Sequence, residues 1–119
     1  LYVQYFGIQI QNRVQDAISR RQEGYLPVGA SLVVKTGHPK IPYLVVSPTM
    51  MLPEPVPPSN CFFAMAATLS TASRTADITH LYCPGLATGV GQIPFELAAE
   101  EMANAYSKWK VRNDASMAR

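Results

Sequence analysis

A chain of 119 residues, 48% hydrophobic and 15% charged, is the size of one domain and too apolar to be a disordered tail. Its net charge of +2 is scattered, with Arg20-Arg21 the longest basic run, so charge makes no strong case for nucleic acid. No apolar run reaches the ~18 residues of a membrane span, and two cysteines, Cys61 and Cys83, with neither CxxC spacing nor a signal peptide, predict reduced thiols in a cytoplasmic setting.

The chain opens on an apolar, periodic stretch, Leu1-Tyr2-Val3-Gln4-Tyr5-Phe6, which reads as the inside of a helix, with Tyr5 and Phe6 in the core rather than stacked on a ligand. Gly7 interrupts it. Ile10, Val14 and Ile18 then recur at helical spacing, predicting a helix from about Ile8 to Arg21 with Gly24 as its C′ residue. The β-branched run between Gly29 and Gly37 predicts a strand. His38-Pro39-Lys40 predicts a solvated turn, and the apolar run from Ile41 to Ser47 predicts a second strand, apolar on both faces and therefore central.

Five prolines between Pro48 and Pro58 rule out regular structure there and predict a stiff extended loop leaving a strand end. A helix follows from Ser59 or Asn60 to about Ser73, with Cys61 as a small buried apolar residue. Thr75-Ala76-Asp77 turns the chain into a third strand from Ile78 to Cys83. The segment Pro84-Gly85-Leu86-Ala87-Thr88-Gly89-Val90-Gly91 is a glycine-rich loop, and Pro94 opens a last helix to about Lys110 with Tyr106 and Trp109 on its packed face. Residues 1–111 then make one domain, and 112–119 a polar, frayed tail. Helix, two strands, helix, strand and helix predict an α/β fold with a mixed sheet covered on both faces.

A strand, a bare-backbone loop and a helix start together make an anion site. Glycines let main-chain N–H groups approach phosphate oxygens, and the helix start adds unpaired donors and partial positive charge. A tight strand-to-helix turn is the plainer reading of the same residues. No Lys-Ser/Thr pair follows Gly91, so there is no P-loop. Thr88 has two readings: a donor to a phosphate oxygen, or a hydroxyl that satisfies the loop backbone. Thr49 reads as a strand-end turn residue before it reads as a ligand contact. His80 and Cys83 lie too far apart along a strand for hydrogen-bonded catalysis. No Cys/His set has metal-ligand spacing, so neither metal nor cofactor is expected.

The chain resembles the macro domain family of ADP-ribose-binding modules. The matching residues are Tyr5-Phe6-Gly7, Gly24-Tyr25-Leu26-Pro27-Val28-Gly29-Ala30, Val34-Lys35-Thr36-Gly37, Pro42 through Met50, and Pro84 through Gly91 before the last helix. They cover nearly all of the chain, and the Thr-Gly-Val-Gly loop is the most specific piece. The Pro48-Thr49-Met50 strand end resembles a phage- and bacteria-associated branch. The resemblance implies a three-layer α/β/α fold with a mixed central sheet and ADP-ribose held across the strand ends. It implies that Ala87, Thr88, Gly89, Val90 and Gly91 wrap the diphosphate, and that Ser47, Pro48, Thr49 and Met50 border the adenosine side.

The resemblance departs in two places. The family's opening segment, with its first strands, an adenine-reading aspartate, a ribose-facing asparagine and a first glycine loop, has no counterpart here. The second loop lacks the aromatic that many members carry, because Val90 runs straight into Gly91. Hydrolysis of an ADP-ribose derivative depends on that opening segment, so no catalytic residue is assigned. Two functions stand side by side: an ADP-ribose-binding module, or a structural or interaction domain that keeps the fold without the pocket and pairs through an exposed sheet edge. A fragment of a longer reading frame also accounts for the start.

Overall fold

The computed structural model describes residue 4 and residues 6–117, the last three by backbone alone. Leu1, Tyr2, Val3 and Tyr5 of the expected opening helix lie outside the described residues. Gly7 adopts φ +87°, a left-handed conformation that glycine takes without a Cβ penalty. It separates what precedes from helix α1, Gln9–Ser19. The 3–4 spacing holds: Ile10 is buried and Val14 and Ile18 are half-buried. The expected cap does not. Arg20 is the C-cap and stays right-handed, while Gly24 takes φ +76° in a later turn closed by its N–H to the Arg21 carbonyl at 3.0 Å.

Two strands follow, β1 (Leu32–Lys35) and β2 (Tyr43–Val46), paired antiparallel with Leu32 opposite Val46 and Lys35 opposite Tyr43. Thr36 organises the connection. Its N–H donates to the Pro42 carbonyl at 2.9 Å, its hydroxyl to the Ile41 carbonyl, and its Oγ1 accepts from the His38 N–H at 3.0 Å. His38 is half-buried rather than freely solvated, its Nδ1 accepting from the Lys40 and Ile41 N–H groups and its ring edge-on to Phe6.

Helix α2 spans Ser59–Ser73 and helix α3 spans Phe95–Met117. Both open directly after a proline, which has no N–H to lose at a helix start. The helices pack through small residues: Cys61, Ala64 and Ala72 of α2 and Ala98 and Ala105 of α3 are buried, so the backbones approach closely. The hairpin is fixed to α2 by hydroxyls. Ser47 Oγ and Thr68 Oγ1 lie 2.6 Å apart, Ser31 Oγ bonds Thr71 Oγ1, and Ser31 also donates to the Ala67 carbonyl at 2.9 Å. Thr68 and Thr71 are three residues apart on one helix face, and Ser31 and Ser47 flank the paired ends of the strands. Two hydroxyl contacts therefore set the hairpin's position on the helix.

The fold is mixed α/β, with a sheet that has two strands among the described residues. Three expectations are corrected. Residues 78–83 form no strand: they are almost wholly exposed, and Tyr82 is 91% exposed. A β-rich segment becomes a strand only where a neighbouring edge receives its N–H and C=O groups. Here only its start is tethered, by the Tyr43 hydroxyl donating to Asp77 Oδ2 at 2.9 Å, a bond that raises the phenol above its ordinary pKa. Second, β2 is half-buried along its length and has one partner strand, not two, among the described residues. Third, α3 does not fray near Lys110 but continues through Met117. Tyr106 is exposed, and the packed stripe runs instead through Ala98, Met102, Ala105 and Trp109.

Candidate functional site

The glycine-rich loop is built by close packing rather than by glycine backbone freedom. Its left-handed residues are Ala87 (φ 59°) and Gln92 (φ 58°), not its glycines. Gly91 is needed for space: a Cβ there would meet the Ala87 carbonyl oxygen at 2.7 Å, Ala87 Cβ at 2.9 Å and Val56 Cγ2 at 3.1 Å. Gly89 has open space around it. The loop closes on itself through Gln92 N–H to the Gly89 carbonyl (3.0 Å) and Ile93 N–H to the Ala87 carbonyl (3.1 Å). Ile93 then inserts between Cys61 and Ala98, with Val56, Leu86, Ala87 and Met102 around them.

Two contacts seat the two special loops on the first turn of α2, and a third joins the loops to each other. Asn60 Nδ2 donates to the Thr49 carbonyl at 2.9 Å. The Cys61 thiol donates to the Leu86 carbonyl at 3.0 Å. The Val56 N–H donates to the Gly91 carbonyl at 3.1 Å, joining the end of the proline-rich loop to the glycine loop. The structure thus gathers the two segments around one helix start. Among the described residues, no hydrogen bond runs directly between residues 48–50 and residues 87–91. Pro48, Thr49 and Met50 are half-buried, and the Thr49 carbonyl is the acceptor for Asn60.

Within the loop, the N–H groups of Ala87, Thr88, Gly89, Val90 and Gly91 donate to no acceptor among the described residues. The Thr88 hydroxyl donates to the Gly85 carbonyl at 3.1 Å, so it satisfies the loop and is not a free donor. The Ala98 N–H reaches the Pro94 carbonyl at 2.9 Å, closing the first turn of α3. Glu96 already places a carboxylate in that turn, where it complements the helix dipole.

The thiols are poor nucleophiles. Cys61 is fully buried, and burial pushes its thiol up, helped by the nearby negative charge of Glu101. Cys83 belongs to the exposed segment, yet desolvation of its sulfur raises its thiol as well. His80 bonds Thr79 Oγ1 at 3.0 Å and not Cys83. Among the described residues, no group of three or more His, Cys, Asp or Glu converges on a metal position, and no helix is long and apolar enough to cross a membrane.

A cleft of a different make-up lies elsewhere. It measures about 600 Å³ and opens between α2, α3 and the residues leading into β1, with Phe62, Phe63, Arg74, Trp109 and Arg112 among its walls. None of Pro48, Thr49, Met50, Ala87, Thr88, Gly89, Val90 or Gly91 lines it. Sequence reasoning missed this cleft because a tail reading of residues 112–119 removed Arg112 from the fold. The available signal was the i, i+3 continuation from Trp109 to Arg112. No family model matches the chain, and no curated protein or solved structure matches it.

Proposed function

We propose that this chain is a macro-domain-like module that binds ADP-ribose or a related nucleotide-diphosphate-ribose. In this reading the diphosphate rests on the backbone N–H groups of the 87–91 loop and on the start of α3, with Pro48, Thr49 and Met50 toward the adenosine. The observation that carries it is the set of five backbone N–H donors from Ala87 to Gly91 that meet no acceptor among the described residues, the last of them four residues before the start of a 23-residue helix. Backbone donors held in a closed loop suit an anion because they are fixed before it arrives. The three-layer sheet of such modules is part of this proposal; the hairpin and its helices are the part described. No residue is given a catalytic role. Were an ADP-ribose derivative hydrolysed, the loop would stabilise developing charge rather than supply a nucleophile.

Calorimetric titration with ADP-ribose tests the reading, with AMP and ribose 5-phosphate as controls. Micromolar binding of ADP-ribose, lost in Gly89→Asp, supports it. That substitution sets a carboxylate among the donors at a position with open space. No heat from a folded sample at millimolar ligand refutes it.

One observation favours a second reading, that of an interaction domain. Each strand of the two-stranded sheet has an outer edge unpaired among the described residues, and such edges invite pairing with another chain. Light scattering decides: an assembly at micromolar protein favours this reading, and a clean monomer counts against self-pairing.

A further inference from the structure

The cleft between α2 and α3 has a composition that selects a ligand class. Its volume of about 600 Å³ falls in the range of small-molecule sites. Phe62, Phe63 and Trp109 line it. Phe63 is 48% exposed, so an aromatic face stands open where a flat apolar body would cover it. Arg74 and Arg112 also line it, and no carboxylate does. The ion pairs among the described residues are Arg20 with Asp16 and Arg21 with Glu23, so neither cleft guanidinium is neutralised by an acid.

Arg74 is held in place. Its Nη1 donates to Ser70 Oγ at 3.2 Å, and its Nη2 reaches Thr71 Oγ1 at 3.5 Å. The Thr71 hydroxyl is itself fixed by Ser31. Two of the five guanidinium N–H donors orient the fork, and the rest remain for a ligand. The Arg112 guanidinium makes no hydrogen bond or ion pair among the described residues. A pre-oriented fork, a second cation and an aromatic wall recognise charge at one end of a ligand and planarity at the other.

We infer that this cleft binds a small planar aromatic anion, a phosphate or a carboxylate, with the ring against Phe63 and Trp109 and the acid group between Arg74 and Arg112. This site is separate from the glycine loop and does not depend on it.

Trp109 is the single tryptophan of the chain, so its emission reports occupancy directly. The test titrates the 119-residue chain with phenyl phosphate, benzoate, phenol and inorganic phosphate. A saturable change in Trp109 emission is expected with phenyl phosphate or benzoate, and the tighter of the two identifies the acid group. Phenol and inorganic phosphate should each bind at least about tenfold more weakly. Arg74→Gln and Arg112→Gln should each cost about tenfold in affinity, as expected for one charge-assisted contact. Arg→Lys at either position, which keeps the charge and loses the fork, should fall between. Both side chains are exposed, so the variants should keep the wild-type circular dichroism. Gly89→Asp should leave this binding unchanged, which separates its failure from failure at the loop. The inference is overturned by no saturable change up to about 10 mM of either anion, by unchanged affinity in the double Arg→Gln variant, or by phenol binding as well as the anions. It is also overturned if Trp109 emission shifts with protein concentration alone, because a second copy would then cover the cleft.

Discussion

The glycine loop and the α2–α3 cleft offer an anion two different kinds of welcome. The loop presents main-chain donors, and its shape is set by core packing: Gly91 against Ala87 and Val56, and Ile93 between Cys61 and Ala98. The cleft presents guanidiniums on exposed side chains, and its shape is set by two helices meeting through alanines. Damage to the core should therefore disturb the loop first, while surface substitutions should alter the cleft without touching stability.

The largest expected effect breaks the loop's anchor. Ile93→Ala empties a position that is 4% exposed in the cluster with Cys61 and Ala98 and should cost about 2–5 kcal/mol in urea unfolding. In the folded fraction, cleft titrations read by Trp109 should be unchanged. A loss under about 1 kcal/mol would mean the loop is not seated on this core.

Next, Gly91→Ala should destabilise by about 1–3 kcal/mol, because its Cβ would meet the Ala87 carbonyl oxygen at 2.7 Å and Ala87 Cβ at 2.9 Å. Gly89→Ala, with open space, should stay within about 0.5 kcal/mol. Equal effects at the two glycines would contradict the loop geometry. A smaller change of opposite sign is expected at Gln92, exposed and at φ 58°. Gln92→Gly removes a left-handed Cβ penalty of about 1 kcal/mol, partly offset by the greater freedom of the unfolded chain, so thermal unfolding should shift slightly upward.

The mildest test uses the thiols. Iodoacetamide should label Cys83 first and Cys61 only on unfolding, because Cys83 is exposed and Cys61 is buried. Burial raises the Cys61 thiol in the folded state, so its contribution to stability is complete below the unfolded thiol pKa. That contribution is lost as pH rises through the higher folded value. Stability should fall on the alkaline side, and Cys61→Ala should flatten that part of the pH profile. Labelling of Cys61 at the rate of Cys83 in native buffer would show that the core beside the loop is open.

Much of the local structure was legible in the residues. The prolines before Ser59 and Phe95 mark the starts of α2 and α3, the Ile10-Val14-Ile18 spacing marks α1, and Cys61 is buried as expected of a small apolar residue. The glycine loop and the proline-rich loop were recognisable, but not the first turn of α2 as the point that joins them. Asn60 and Cys61 carry no sequence signal for that task, because a contact between residues 60 and 49, or 61 and 86, has no local period. Thr88 had two readings that only its 3.1 Å bond to the Gly85 carbonyl separated. For the Arg74–Arg112 cleft only the Trp109-to-Arg112 spacing was legible, since the cleft joins the ends of two helices distant in the chain.

The sequence by itself determined the helix starts, the two strands and the loops, because spacing, proline and β-branching act over a few residues. The tertiary structure decided the rest. Residues 78–83 have strand-like composition, but pairing requires an edge beside them, so they remain outside the sheet. The left-handed turns fall on Ala87 and Gln92 rather than on glycines, because the packing of Gly91 and Ile93 dictates the path between them. Residues 112–117 look like part of a polar tail, yet α3 continues through them and carries Arg112 to the cleft wall. Whether a locally suitable segment becomes a strand, a tail or a binding wall depends on what lies beside it in space.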